Sequence, residues 1–120
     1  IIYQDIFKKQ YTDLMYEIQS EEYDGDEATI EVKITVYDLY KVQKQSLTYL
    51  TENPDEFNDE DGNYDANKYI TYKLNQMKMA KDKIDYTIEF YAVKSNNGWE
   101  VSPLSNSDLE KIHGIYNYES

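Results

Sequence analysis

The stretch Ala28 to Tyr37, ATIEVKITVY, constrains this chain more than any other, because Ala28, Ile30, Val32, Ile34 and Val36 alternate strictly with Thr29, Glu31, Lys33, Thr35 and Tyr37. An apolar period of two with one oily side defines a half-buried strand. Small and β-branched residues along a whole face need cover, and the amphipathic segments on either side are the candidates to supply it. With 120 residues the chain has room for one domain, residues 1–120, and one core.

From Ile2 to about Gln19 the residues Tyr3, Ile6, Phe7, Tyr11, Leu14, Met15 and Ile18 recur at three- and four-residue spacing, which predicts an amphipathic helix. Glu21 to Glu27, EEYDGDE, reads as an exposed acidic loop. After the strand, Asp38 is placed to cap a helix whose buried side is Leu39, Val42, Leu47 and Leu50, and Asn53-Pro54 ends it. A second acidic loop, Glu52 to Asp65, leads to a helix from Ala66 to about Lys81 that Asp65 is placed to cap, with a stripe of Tyr69, Ile70, Leu74, Met77 and Ala80.

Alternation returns from Ile84 to Lys94, where Ile84, Tyr86, Ile88, Phe90 and Ala92 share one face. Asn97-Gly98 predicts a type I′ hairpin turn into a last strand, Trp99 to Ser102, with Trp99 on the buried face. Ser107 to Glu110 has the form of a capping box for a short helix closed by Gly114. The expected fold is therefore α+β: a curved antiparallel sheet of about three strands with helices packed on one face, in the order α-β-α-α-β-β-α.

Net charge is -12, and the two loops Glu21–Glu27 and Glu52–Asp65 hold 5 and 7 acids and no lysine, so 5 + 7 = 12 of the 24 acids carry the whole imbalance. If the helix after Asp38 folds back along the first strand, both loops meet at one pole. All 12 basic residues are lysines. An acidic chain without arginine is a poor partner for nucleic acid. No run reaches the roughly 18 apolar residues of a membrane span, and the start on Ile1 is expected to follow a trimmed signal or anchor.

With no cysteine, thiolate metal sites and cysteine nucleophiles are excluded. A lone histidine, His113, excludes multi-histidine sites, and its place at a helix C-terminus is one the helix dipole favours. Asp59, Asp61, Asn63 and Asp65 alternate like calcium ligands. An EF-hand loop with Gly62 in its glycine place would start on Phe57 and end on Lys68, neither of which can bind the ion. The expectation is no metal, no cofactor and no catalytic residue, with Tyr37 and Tyr91, on the polar side of the sheet, as the candidate binding surface for a peptide or glycan.

Together, ITVYDLYK, NPDEF and DEDGNYD, AKDKIDYTIEF, NNGWEV and SDLEKIHGIY resemble small exported lipoprotein domains of low-GC Gram-positive bacteria, of the cystatin-like and nuclear transport factor 2-like α+β superfold. That resemblance implies an extracytoplasmic, non-enzymatic binding or accessory domain at the cell envelope. Its partner would be an envelope protein, peptide or glycan, and it would touch the membrane only through a lost lipid anchor. The alternative is a small-ligand binder or enzyme using a concave pocket between sheet and helices.

Overall fold

A computed structural model describes residues 2–120 as α1 (Ile2–Asp13), β1 (Met15–Asp24), β2 (Glu27–Tyr37), α2 (Leu39–Glu52), a 3₁₀ turn (Pro54–Phe57), α3 (Ala66–Lys78), β3 (Lys83–Ser95), β4 (Gly98–Val101) and α4 (Asn106–His113). The class is α+β as expected, but the antiparallel sheet has four strands in the order β1-β2-β3-β4. The additional strand takes the end of the segment expected to be one helix to Gln19 and the first part of the stretch expected to be an acidic loop, Glu21–Glu27, of which only Gly25 and Asp26 remain as a turn. Helix α1 stops at Asp13, and Met15 onward pairs with β2, Met15 opposite Thr35 and Asp24 opposite Glu27.

The β1–β2 turn has its one positive φ at Gly25 (61°), the first of its two central residues. Glycine reaches that region without the steric penalty a side chain would bring. At the other hairpin Ser95 pairs with Gly98 around Asn96-Asn97. There the positive φ falls on Gly98 (101°) alone, so the turn is not type I′. Its central asparagines keep ordinary negative φ, and the glycine after them absorbs the twist.

In β2 the even residues Ala28, Val32, Ile34 and Val36 are buried and the odd residues are more exposed, as the alternation predicts. Ile88 and Ala92 of β3 join them, and Leu14, Leu104 and Ile112 pack against this face. Thus α4 and the segment leading into it cover part of the sheet. Ser105, two residues earlier than Ser107, caps α4 by accepting a hydrogen bond from the Asp108 amide at 3.1 Å.

Helices α2 and α3 do not fold back over the sheet. Leu39 of α2 and Met77 of α3 form a separate core with Ile6 and Ala80 beside the end of β2. Beyond it the two helices run outward as a hairpin, which leaves Leu47 and Ile70 exposed although each lies on an apolar stripe. The molecule measures 67 × 25 × 24 Å with a radius of gyration of 19.1 Å, against about 14 Å for a compact domain of this length. Placed end to end, β3 at about 3.3 Å per residue and α3 at about 1.5 Å per residue account for that long axis. The two acidic stretches therefore sit at opposite ends, not at one pole.

Three polar side chains hold the junction between sheet and helices. Gln10 is 1% exposed. Its Oε1 accepts from the Tyr37 amide at 2.8 Å, and its Nε2 donates to the carbonyls of Tyr37 and His113, both at 3.0 Å. Asp38 accepts from the Lys41 amide at 3.0 Å, capping α2 as expected, and from the Tyr118 hydroxyl at 2.8 Å. Lys9 donates to the Lys78 and Ala80 carbonyls, satisfying the C-terminal end of α3.

Candidate binding surface

The apolar face of the sheet is wider than its helical cover. Between Ile18 and Ser20 the β1–β2 register shifts by one residue. A bulge of this kind turns the strand and reverses which residues face each side. On the core face β1 consequently presents Tyr16 and Ile18 before Gln19, and Glu21 and Tyr23 after it, opposite Ile34, Val32, Ile30 and Ala28 in turn. Tyr16 remains 70% exposed and Ile18 52%.

Beside them runs a groove of about 330 Å³ with no polar surface in its lining. Tyr16 and Ile18 of the edge strand form its outer wall, Val32, Ile34 and Phe90 of the inner strands its floor, and Leu14 and Ile112 complete the lining. Farther along the same face Tyr23 meets Trp99 of β4 edge to face, with ring centroids 5.8 Å apart. Trp99 is 45% exposed, not buried as its parity predicts, because α4 ends short of this part of the sheet. The Tyr23 hydroxyl donates to Glu21 at 3.0 Å, and that bond to a carboxylate raises the tyrosine pKa.

Strand β1 is also an edge of the sheet. Its ten residues, MYEIQSEEYD, include Glu17, Glu21, Glu22 and Asp24 and no base, and all except Ser20 are exposed. Apolar groove and acidic edge thus share one strand.

The tyrosines expected to form a surface lie on the opposite, polar face and are not brought together. Tyr91 is opposite Thr29 and Tyr37 opposite Lys83, eight residues apart along β2 and hence about 26 Å. Tyr37 donates to Asp13 at 2.5 Å and its ring lies under Lys9 and Lys83. Tyr91 donates to Glu27 at 2.5 Å. Both hydroxyls are engaged within the fold.

Asp59 spends one carboxylate oxygen on its own loop, accepting the Asp61 and Asn63 amides at 2.9 and 3.0 Å. Asp65 caps α3 through the Asn67 amide at 3.0 Å. Among the described residues no group of three or more metal-ligating side chains converges, the Asp59–Asp65 stretch included. That loop is anchored rather than freely solvated: Phe57 is buried against the rings of Tyr49, Tyr69 and Tyr72, and Asn58 bridges Tyr64. His113 ends α4 beside Phe7 and Tyr11, hydrogen-bonded to the Tyr11 hydroxyl at 2.5 Å.

A second cavity, of about 460 Å³, opens between α2 and α3. Its lining mixes Tyr49, Tyr72 and Met79 with Lys41, Gln76 and Asp82, and Lys41 is already paired with Asp82 at 3.0 Å. The residues that sequence reading missed are those of β1. Asp24-Gly25 between two runs of strand-forming residues was the signal for them. Comparison with protein-family models, curated proteins and solved structures found no match for this chain.

Proposed function

We propose that this chain is a non-enzymatic binding domain that works outside the cytoplasm at the bacterial cell envelope, with the groove beside β1 as its working surface. The observation that carries the reading is the wholly apolar lining of that groove, left open beside an edge strand. Open apolar surface on a folded domain marks interaction sites. Chemistry would call for convergent polar groups in the groove, whereas its walls and floor offer aliphatic and aromatic side chains suited to anchoring another chain. The envelope location follows the resemblance to exported lipoprotein domains.

Peptides selected from a random display library on the wild-type chain, then compared on Ile18→Glu, test the reading. A carboxylate at Ile18, on the outer wall of the groove, should abolish capture of most selected peptides. Peptides that bind both chains equally would remove the groove from the function. Failure to select any peptide would count against a peptide-binding role.

A further inference from the structure

We infer that the partner is an extended cationic peptide segment that adds to the free edge of β1 as a fifth strand, outside the groove's outer wall, its apolar half beside Tyr16 and Ile18 and its lysine-rich half beside Glu21, Glu22 and Asp24. The inference rests on the binding role proposed above and specifies the class of partner.

Its first support is the backbone. An edge strand exposes a row of N–H and C=O groups that another chain can pair with, and natural proteins usually shorten or cover such edges. At the other edge β4 has only four residues. Strand β1 has ten and no proline, enough for a ladder along its length, with the Gln19 bulge dividing it into two arms.

The second support is the division of chemistry between those arms. The arm before the bulge presents Tyr16 and Ile18 toward the groove. A strand laid alongside would place every second side chain next to them and extend the apolar face. The arm after the bulge carries three of the strand's four acids on both sides of the pleat.

Charge then selects the occupant. A second copy of this chain, with a net charge of -12, would bring like charge to an edge that already carries four acids and no base. Like charges directly opposite in a sheet are destabilising, and opposite charges stabilise. The edge therefore repels its own kind and suits a basic strand.

The test uses the full chain and short synthetic peptides that alternate valine with threonine in one half and lysine with serine in the other, made in both orders. Labelled peptide is titrated by fluorescence anisotropy, and hydrogen exchange is followed at the β1 amides. One of the two orders should bind and slow exchange along β1. Replacing its lysines by glutamate, or reversing the protein's charges with Glu21→Lys, Glu22→Lys and Asp24→Lys together, should weaken binding by roughly tenfold or more. Proline at the centre of the peptide should abolish it, and binding should fall as salt rises.

Equal binding of the proline peptide, or of the glutamate peptide, overturns strand addition by a cationic segment. If such binding is still lost in Ile18→Glu, the groove reading survives without this one. No binding of either order overturns this inference, and together with failure of the library selection it overturns both. Dimerisation of the chain alone, blocked by the triple lysine variant, would make a second copy the occupant and overturn the charge argument.

Discussion

Tyr23 of β1 and Trp99 of β4 meet at an interplanar angle of 69°, across the two strands that separate them, on the face that carries Ala28 and Ala92. Those alanines are 3% and 5% exposed although α4 does not reach them. Small side chains in the middle of the sheet let two large ones lean inward from its edges. The rings form a roof that stays half exposed.

That geometry lowers the expected cost of losing the tryptophan. Trp99→Ala should destabilise by well under the roughly 3 to 5 kcal/mol of a fully buried tryptophan. A double-mutant cycle with Tyr23→Ala should give a coupling of about 0.5 to 1.5 kcal/mol for the aromatic pair. Urea unfolding of the four proteins measures it, and purely additive losses would show that the rings do not support each other.

Gly114 and Gly25 both have positive φ, 77° and 61°, but their surroundings differ. A Cβ at Gly114 would lie 2.2 Å from the Tyr37 carbonyl oxygen and 2.4 Å from Gln10 Nε2, whereas one at Gly25 meets nothing within 4 Å. Gly25→Ala should cost about 1 kcal/mol from backbone strain alone. Gly114→Ala must also break the Gln10 junction and should cost several times more, about 3 kcal/mol or above. Thermal melts of the two variants settle the order.

Tyr86 has a buried hydroxyl with no hydrogen-bond partner among the described residues, and its pKa is pushed up to about 12 by burial first, then by the charge of Asp38 and by Tyr116. At a pH between about 10, the ordinary tyrosine value, and 12, the folded chain keeps a proton that the unfolded chain has lost. This contribution to stability is complete below pH 10 and declines as pH rises through 12. Tyr86→Phe removes no protein hydrogen bond, so it should cost little at pH 7 and flatten the decline in alkali. Urea midpoints at pH 7, 10 and 11.5 check both statements.

Phe57→Ala should loosen the far end of the helical hairpin without unfolding the sheet. The aromatic cluster around Phe57 is built from α2, α3 and the turn between them, with no strand residue. Amide exchange should accelerate from Glu52 to Tyr72 while the β2–β3 ladder keeps its protection. Uniform acceleration throughout the chain would show that hairpin and sheet unfold as one unit.

Strands β2 and β3 were legible because a buried face and a polar face alternate along them without interruption, and the caps at Asp38 and Asp65 because each carboxylate precedes an apolar helical stripe. Strand β1 was not. Tyr11, Leu14, Met15 and Ile18 satisfy helical spacing as well as Tyr16 and Ile18 satisfy a strand, and the bulge at Gln19 breaks the alternation that would have decided between them. The hairpin's direction was hidden for another reason. Periodicity says which side of a helix is apolar but not what lies against it, so Leu47 and Ile70 read as core and stand in solvent. The groove became visible only once β1 was known to be an edge and α4 too short to cover the sheet.

The 67 Å long axis has a hydrodynamic consequence. A rod tumbles and diffuses more slowly than a sphere of equal mass, so a single copy of this 14.3 kDa chain should leave a sizing column early, where a larger globular protein would run. Calibration against compact standards would misread the monomer as a dimer. Sedimentation velocity, which separates mass from frictional drag, should return one copy with a raised frictional ratio, and rotational correlation times should differ along and across the axis.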